Sequence, residues 1–202
     1  NLISGNGVSA TLSGTGILLA AGSSGTVIRG NIIGPNVNGS ALGNGYSGIT
    51  VYGDVDSVTM GGATAGAGNV IAGNPSHGIA VYSLGGPPAS NLTVQGNRIG
   101  HNQFDAALGN GGWGLSITDG AGVAVGGSGA GNYIEHNTAG GVYVGAGSSN
   151  VTIVSNSIAD NGGLVKSVWF PRAILPTATV LFNLTQYLLS VSVILPLMLV
   201  YY

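Results

Sequence analysis

The chain has 202 residues, of which 39 are glycine, four are basic, six are acidic and none is cysteine. Four basic residues are too few to neutralise a nucleic-acid backbone, and the lack of cysteine excludes a disulfide scaffold or a cysteine-ligated zinc domain. Glycine at this frequency disfavours a helical protein, and it does not recur at every third position as in collagen. Hydrophobic residues make up 44% of the chain, which favours a folded core over glycine-rich disorder.

A six-residue pattern, Asn-x-Ile-x-x-Asn, recurs along the chain and indicates an internal repeat. Copies that are two apart agree best in spacing, and Leu42-Gly43-Asn44 recurs 66 residues later as Leu108-Gly109-Asn110. The repeating unit is therefore a pair of coils with one long turn. The six copies are Asn1–Asn6, Asn31–Asn36, Asn69–Asn74, Asn97–Asn102, Asn132–Asn137 and Asn156–Asn161.

Short strands are predicted on both sides of the pattern. Each copy is followed by glycine and an alternating apolar segment, which is typical of a strand with one buried face. These segments are 16–19, 48–51, 78–81, 114–117 and 141–144, and a sixth begins at Gly163-Leu164. Another short apolar segment precedes most copies, at 27–28, 58–60, 92–94, 123–125 and 151–153.

One coil of this kind cannot bury its apolar face, but a second coil stacked about 4.8 Å away both covers that face and pairs the backbone. Glycine and asparagine supply the left-handed corners. Asparagines at the same corner of successive coils are expected to form an amide ladder. Residues 1–163 are therefore predicted to form an all-β, single-stranded parallel β-helix of about six coils.

These motifs resemble the repeats of the pectin-lyase-like superfamily, and in particular those of long bacterial secreted or surface proteins. The resemblance implies a right-handed solenoid and a secreted or cell-surface location. The superfamily contains lyases, hydrolases, epimerases, tailspikes and adhesins, so fold alone does not imply activity. None of its active-site motifs maps onto residues of this chain, and no catalytic residue is assigned.

One predicted row of side chains has the chemistry of a metal site. The residue before the second asparagine of the motif is His101, His136 and Asp160 in three consecutive coils, with Glu135 beside His136. Two imidazoles and a carboxylate on one edge are suitable ligands for a divalent metal or an acid–base pair. The alternative is that they are solvated corner residues, where any polar type is tolerated.

A second row predicts a carbohydrate-binding face. Tyr52, Tyr82, Trp113 and Tyr143 fall on or beside the outward positions of the strands that follow the glycines. Aromatic rings on a flat sheet are suited to contact a sugar ring. The alternative is ordinary aromatic packing that stiffens the sheet.

Two functions fit these features. The first is a non-catalytic repeat segment of a secreted or cell-surface protein, a rigid stalk or adhesin with glycan contact. The second is a fragment of a polysaccharide lyase or glycoside hydrolase, with its site in the long turns 36–48 and 102–114 or on the tyrosine row. Neither requires a cofactor or a nucleic-acid partner. The expected partners are polysaccharide and further coils of the same protein.

The composition changes sharply after Gly163. All 39 glycines lie in residues 1–163, and residues 164–202 form an apolar tail without the repeat. Three interpretations of the tail stay open: a membrane anchor within 173–202, a hydrophobic cap on the solenoid, or an off-frame, non-native end. The chain begins within a motif, which we interpret as a fragment of a longer repeat protein.

Overall fold

The computed structural model describes residues 1–7 and 14–159. Within them the chain is an all-β parallel solenoid of about five turns, which confirms the predicted fold class. The six copies of the motif delimit about five turns because the described residues end shortly after the sixth copy begins. Among the described residues, no helix is long and apolar enough to cross a membrane. The tail 164–202 lies outside them.

Three parallel sheets form the sides of the solenoid, and each holds one strand from each successive coil. Sheet I contains Leu2–Ile3 (β1), Ile32–Ile33 (β4), Val70–Ile71 (β7), Arg98–Ile99 (β11), Tyr133–Ile134 (β15) and Ser157–Ile158 (β18). Sheet II contains Ile17–Leu19 (β2), Ile49–Tyr52 (β5), Ile79–Tyr82 (β8), Trp113–Ile117 (β12) and Gly140–Val144 (β16). Sheet III contains Val27–Ile28 (β3), Thr59–Gly61 (β6), Thr93–Gln95 (β10), Ala124–Gly126 (β14) and Thr152–Val154 (β17).

A fourth, two-stranded sheet of Ala89–Ser90 (β9) and Gly120–Ala121 (β13) lies between sheets II and III and was not predicted. Its strands pair in parallel, with Ala89 opposite Gly120. At this corner Ser57, Asn91 and Asn150 adopt left-handed backbone conformations. Short polar residues tolerate this conformation because their side chains bond locally to the backbone.

The core follows the predicted register. The motif isoleucines of sheet I stand in one row, with Ile33 paired to Ile71, Ile71 to Ile99 and Ile99 to Ile134. All four are fully buried. Since burial of an isoleucine side chain contributes about 1.5–3 kcal/mol, this single row stabilises the stack of coils substantially.

Asparagine ladders cross two of the corners. The first ladder lies between sheets III and I, and each side-chain Nδ2 donates to Oδ1 of the asparagine in the next coil at 2.8–3.1 Å. Its members are the first asparagines of all six motifs: Asn1, Asn31, Asn69, Asn97, Asn132 and Asn156. The backbone N–H of Asn31 also donates to Asn69 Oδ1, and the pattern repeats along the ladder.

The second ladder, between sheets I and II, does not follow the motif spacing in every coil. Its members, joined at 2.8–3.0 Å, are Asn6, Asn44, Asn74, Asn110 and Asn137. In the two coils with long turns, the motif asparagines Asn36 and Asn102 are displaced, and Asn44 and Asn110 take their places. The Oδ1 of Asn36 instead accepts the N–H groups of Asn38 and Ser40, which closes the turn.

The two long turns pack against each other across the intervening coil. Asn102 Oδ1 closes its own turn in the same way as Asn36, by accepting the N–H groups of Phe104 and Ala106. Asn102 Nδ2 then donates to Gly39 O at 2.8 Å in the other turn. The pairing of equivalent turns explains the 66-residue recurrence of the sequence.

Candidate functional site

The outer face of sheet II carries the four predicted carbohydrate-contacting aromatic residues as two pairs. Tyr52 and Tyr82 stand in register, with ring centroids 5.4 Å apart in an edge-on arrangement. Trp113 and Tyr143 stack, with centroids also 5.4 Å apart and planes inclined by 28°. Trp113 has room because its register partner is Gly140, where a β-carbon would collide with the indole ring.

An open groove of about 210 Å³ lies on this face. Sequence reasoning did not include Tyr46 in the site, although its ring lines the groove with Tyr82. Small residues of sheet II form part of the lining, and Leu84, which is 77% exposed, lies in the loop beyond β8. The complete lining is Tyr46, His77, Ala80, Tyr82, Ser83, Leu84, Ser116 and Thr118.

The outward positions beside the aromatic residues are not open to solvent. Thr50, Ala80 and Ser116 lie on the outer face of sheet II, but all three are buried. Thr50 Oγ1 lies 3.1 Å from Thr15 Oγ1, so residues before β2 cover this end of the face. Contact with a ligand therefore depends on the projecting rings rather than on the sheet surface.

Two groups in the groove have defined protonation. His77 Nδ1 accepts the backbone N–H of Trp113 at 2.9 Å, which requires an unprotonated Nδ1, and burial lowers the pKa of His77. Burial raises the pKa of Tyr82 to about 12, and the neighbouring Tyr46 hydroxyl adds to the shift. The groove therefore offers neutral imidazole and phenol groups at physiological pH.

The structure brings together the two histidines of the predicted metal row, His101 and His136, in adjacent coils at the end of sheet I, with ring centroids 4.7 Å apart. Glu135 lies beside the two histidines. The three residues can each offer one ligand atom, and these atoms lie within 4.8 Å of one another. The sequence placed Glu135 beside His136 but did not include it among the ligands. Asp160, the third predicted ligand, lies outside the described residues.

The surroundings of the two histidines differ. His101 is 4% exposed and packs against the ring of Tyr133, with centroids 4.9 Å apart. Burial, followed by the proximity of His136, lowers the pKa of His101. The Nδ1 atom of His101 is buried and has no hydrogen-bond partner within residues 1–7 and 14–159. His136 is more exposed, and its Nε2 lies 4.0 Å from Glu135 Oε2.

Most other described carboxylates are held by structural contacts. Asp56 accepts hydrogen bonds from Ser57, Ser90 and Asn91 at 2.6–2.8 Å. Asp119 accepts the Ser83 N–H, and Asp105 forms an ion pair with Arg98. A larger groove of about 340 Å³ lies beside the first ladder, but it is lined mainly by glycine, alanine and backbone, with Arg98 its charged member.

Searches against protein-family models, curated proteins and solved structures found no match to this chain. The parallel β-solenoid is therefore established by the structure itself. Membership of the pectin-lyase-like superfamily and of its bacterial secreted type stays a prediction from the repeat motifs.

Proposed function

We propose that this chain is a non-catalytic repeat segment of a secreted or cell-surface protein, a rigid stalk or adhesin that contacts glycans through the outer face of sheet II. The observation that carries the proposal is the pair of aromatic clusters, Tyr52–Tyr82 and Trp113–Tyr143, on one face of a stiff scaffold. Flat rings with polar edges combine apolar contact area with hydrogen-bonding groups. This combination fits the faces and hydroxyl groups of a sugar.

The groove supports binding through its mixture of groups. Tyr46 and Tyr82 supply hydroxyls, His77 supplies an imidazole, and Leu84 adds exposed apolar surface. Ligand sites are typically concave and apolar with a few convergent polar groups. The absence of a charged side chain from the lining favours a neutral saccharide over a polyuronate.

The carboxylates support a binding role over catalysis. A glycosidase needs two carboxyl groups facing each other across the substrate, about 5–9.5 Å apart. Asp56 and Asp119 lie in turns beyond sheet II, but both are held by neighbouring coils. In the structure Asp56 accepts a hydrogen bond from Ser90 Oγ, and Asp119 accepts one from the Ser83 N–H.

The test is a glycan array followed by calorimetry on the full chain. We expect binding to a neutral polysaccharide, and about tenfold weaker binding in Tyr82→Ala, because loss of one aromatic contact costs roughly 0.5–1.5 kcal/mol beyond its buried area. Tyr82→Phe retains the ring and should bind nearly as well. Phe104→Ala removes an exposed ring from a different part of the surface and should leave binding unchanged.

Turnover is measured on the same preparations by release of new reducing ends. The proposal predicts binding without product. Product formation that is retained through purification and abolished by a substitution in sheet II would overturn it in favour of the lyase or hydrolase interpretation. Equal binding by wild type and Tyr82→Ala would exclude this face as the contact.

A further inference from the structure

We propose that His101, Glu135 and His136 form a binding site for a divalent transition metal such as zinc, at the end of sheet I. The three residues come from two adjacent coils, and one ligand atom from each lies within 4.8 Å of the others. This inference does not depend on glycan contact, because the site is formed by sheet I and the groove by sheet II.

The donor set fits the metal class. Two imidazoles and one carboxylate are ligands for zinc, and three protein ligands with a water complete a four-coordinate site. In a tetrahedral site with bonds of about 2.0–2.1 Å, ligand atoms stand about 3.3 Å apart. The ligand atoms lie within 4.8 Å of one another, so metal binding would require small rotations of Glu135 and His136, which are the more exposed members of the cluster.

A second observation concerns His101. His101 is only 4% exposed, yet its Nδ1 has no hydrogen-bond partner among the described residues. An unpaired buried polar atom typically costs about 1–3 kcal/mol, so native proteins rarely keep one without a reason. Binding of a metal at either ring nitrogen would fix the tautomer and orient the imidazole.

The backbone of His136 is a third, independent observation. It has φ of 60°, a left-handed conformation in which a β-carbon is unfavourable. The equivalent positions of the other short corners are Gly5 and Gly73, with φ of 69° and 66°. This coil therefore holds a histidine where its equivalents hold glycine, and such strain is commonly found at functional sites.

The experiment is zinc titration of the full chain by calorimetry, with thermal unfolding measured in parallel. We expect one zinc per chain with micromolar affinity, and at a zinc concentration 100 times Kd a rise in melting temperature on the order of 5–10 °C. The His136→Gly variant carries glycine at this position, as the equivalent short corners do at Gly5 and Gly73. It should therefore fold at least as stably without metal, while it binds zinc at least tenfold more weakly.

Glu135→Gln is the second variant, because it keeps the shape of the side chain and removes the charged ligand; it should also weaken binding at least tenfold. Asp54→Asn removes an exposed carboxylate far from the cluster in sequence and should bind zinc like the wild type.

No zinc binding at micromolar concentration, or equal binding by wild type and His136→Gly, would overturn the proposal. Glycan binding measured on the same variants should not change, which separates the two proposals.

Discussion

The two ladder corners of the solenoid use the same motif differently. At the corner between sheets III and I, the first asparagine of every motif enters the ladder. At the corner between sheets I and II, the second asparagine enters only in the coils with short corners. In the other two coils, eight more residues intervene and Asn44 or Asn110 enters instead.

The comparison teaches that every ladder asparagine of the described residues except Asn6 keeps a fixed distance to the strand that follows it. In the second ladder Asn44, Asn74, Asn110 and Asn137 precede a sheet II glycine by four residues, namely Gly48, Gly78, Gly114 and Gly141, whereas Asn6 of the first coil precedes Gly16 by ten. At both corners the inserted turns come before the asparagine: 62–68 precedes Asn69, and 35–42 lies before Asn44. In these coils the spacing from the asparagine to the following strand is preserved, and the differences in turn length lie before the asparagine.

The largest expected effect comes from breaking the second ladder at its centre. Asn74→Ala leaves the buried backbone N–H and Nδ2 of Asn44 without their acceptor, and each unpaired buried donor costs about 1–3 kcal/mol. We expect a loss of about 3 kcal/mol or more in the free energy of unfolding, measured by denaturant titration. Asn36→Ala, at the same motif position but in a turn, should cost about 1 kcal/mol or less. Similar losses in the two variants would contradict the ladder assignment.

The glycine that follows the ladder gives the next effect. A β-carbon on Gly78 would lie 2.6 Å from Gly114 O and 2.6 Å from Ile99 Cγ2. Gly78→Ala is therefore expected to cost about 1–3 kcal/mol through overpacking, read from the midpoint of thermal or denaturant unfolding. Gly86→Ala is the matched control, because no atom lies within 4 Å of its added carbon. A neutral Gly78→Ala would show that the corner is not closely packed.

The smallest effect concerns the corner between sheets II and III. This corner is held by the carboxylate of Asp56, whereas the other two corners are held by asparagine ladders. The hydroxyl of Ser57, then Ser90 and Asn91, lower the pKa of Asp56 from 3.8 to about 2. Since the folded-state pKa is depressed, the stabilisation is present above about pH 4 and is lost as the pH falls towards 2. Melting temperature against pH should fall more steeply in this window for wild type than for Asp56→Asn. Parallel curves would show that the carboxylate does not stabilise the corner.

Much of the fold could be predicted from the sequence. Period-two alternation with isoleucine at a fixed place determines the three sheets, and repeated asparagine determines that ladders form. The motif does not identify the second-ladder asparagines of the long-turn coils, because Asn36 and Asn102 keep the motif spacing but lie in the turns. The available signal was the spacing to the following glycine, because Asn44 and Asn110 stand four residues before Gly48 and Gly114.

The site could be predicted less completely. The rows of Tyr52 with Tyr82 and of His101 with His136 follow directly from strand register. Tyr46 and Glu135 were missed as site members because their positions depend on the corrected corner and on side-chain direction, which spacing does not give. The burial of Thr50 depends on a hydroxyl contact with Thr15 from a different coil, and no local pattern encodes that contact.

Deletion of residues 35–42 tests the central claim most directly, that insertions at a corner are separable from the ladder frame. It joins Gly34 to Gly43-Asn44 and reproduces the length of the short corner Ala72-Gly73-Asn74, with glycine in the place of Ala72. The account predicts a folded chain with the wild-type circular dichroism spectrum, cooperative unfolding and only a small loss of stability, since the hydrogen bonds from Asn102 and Gln103 to the deleted turn are removed. An unfolded or non-cooperative product would contradict it.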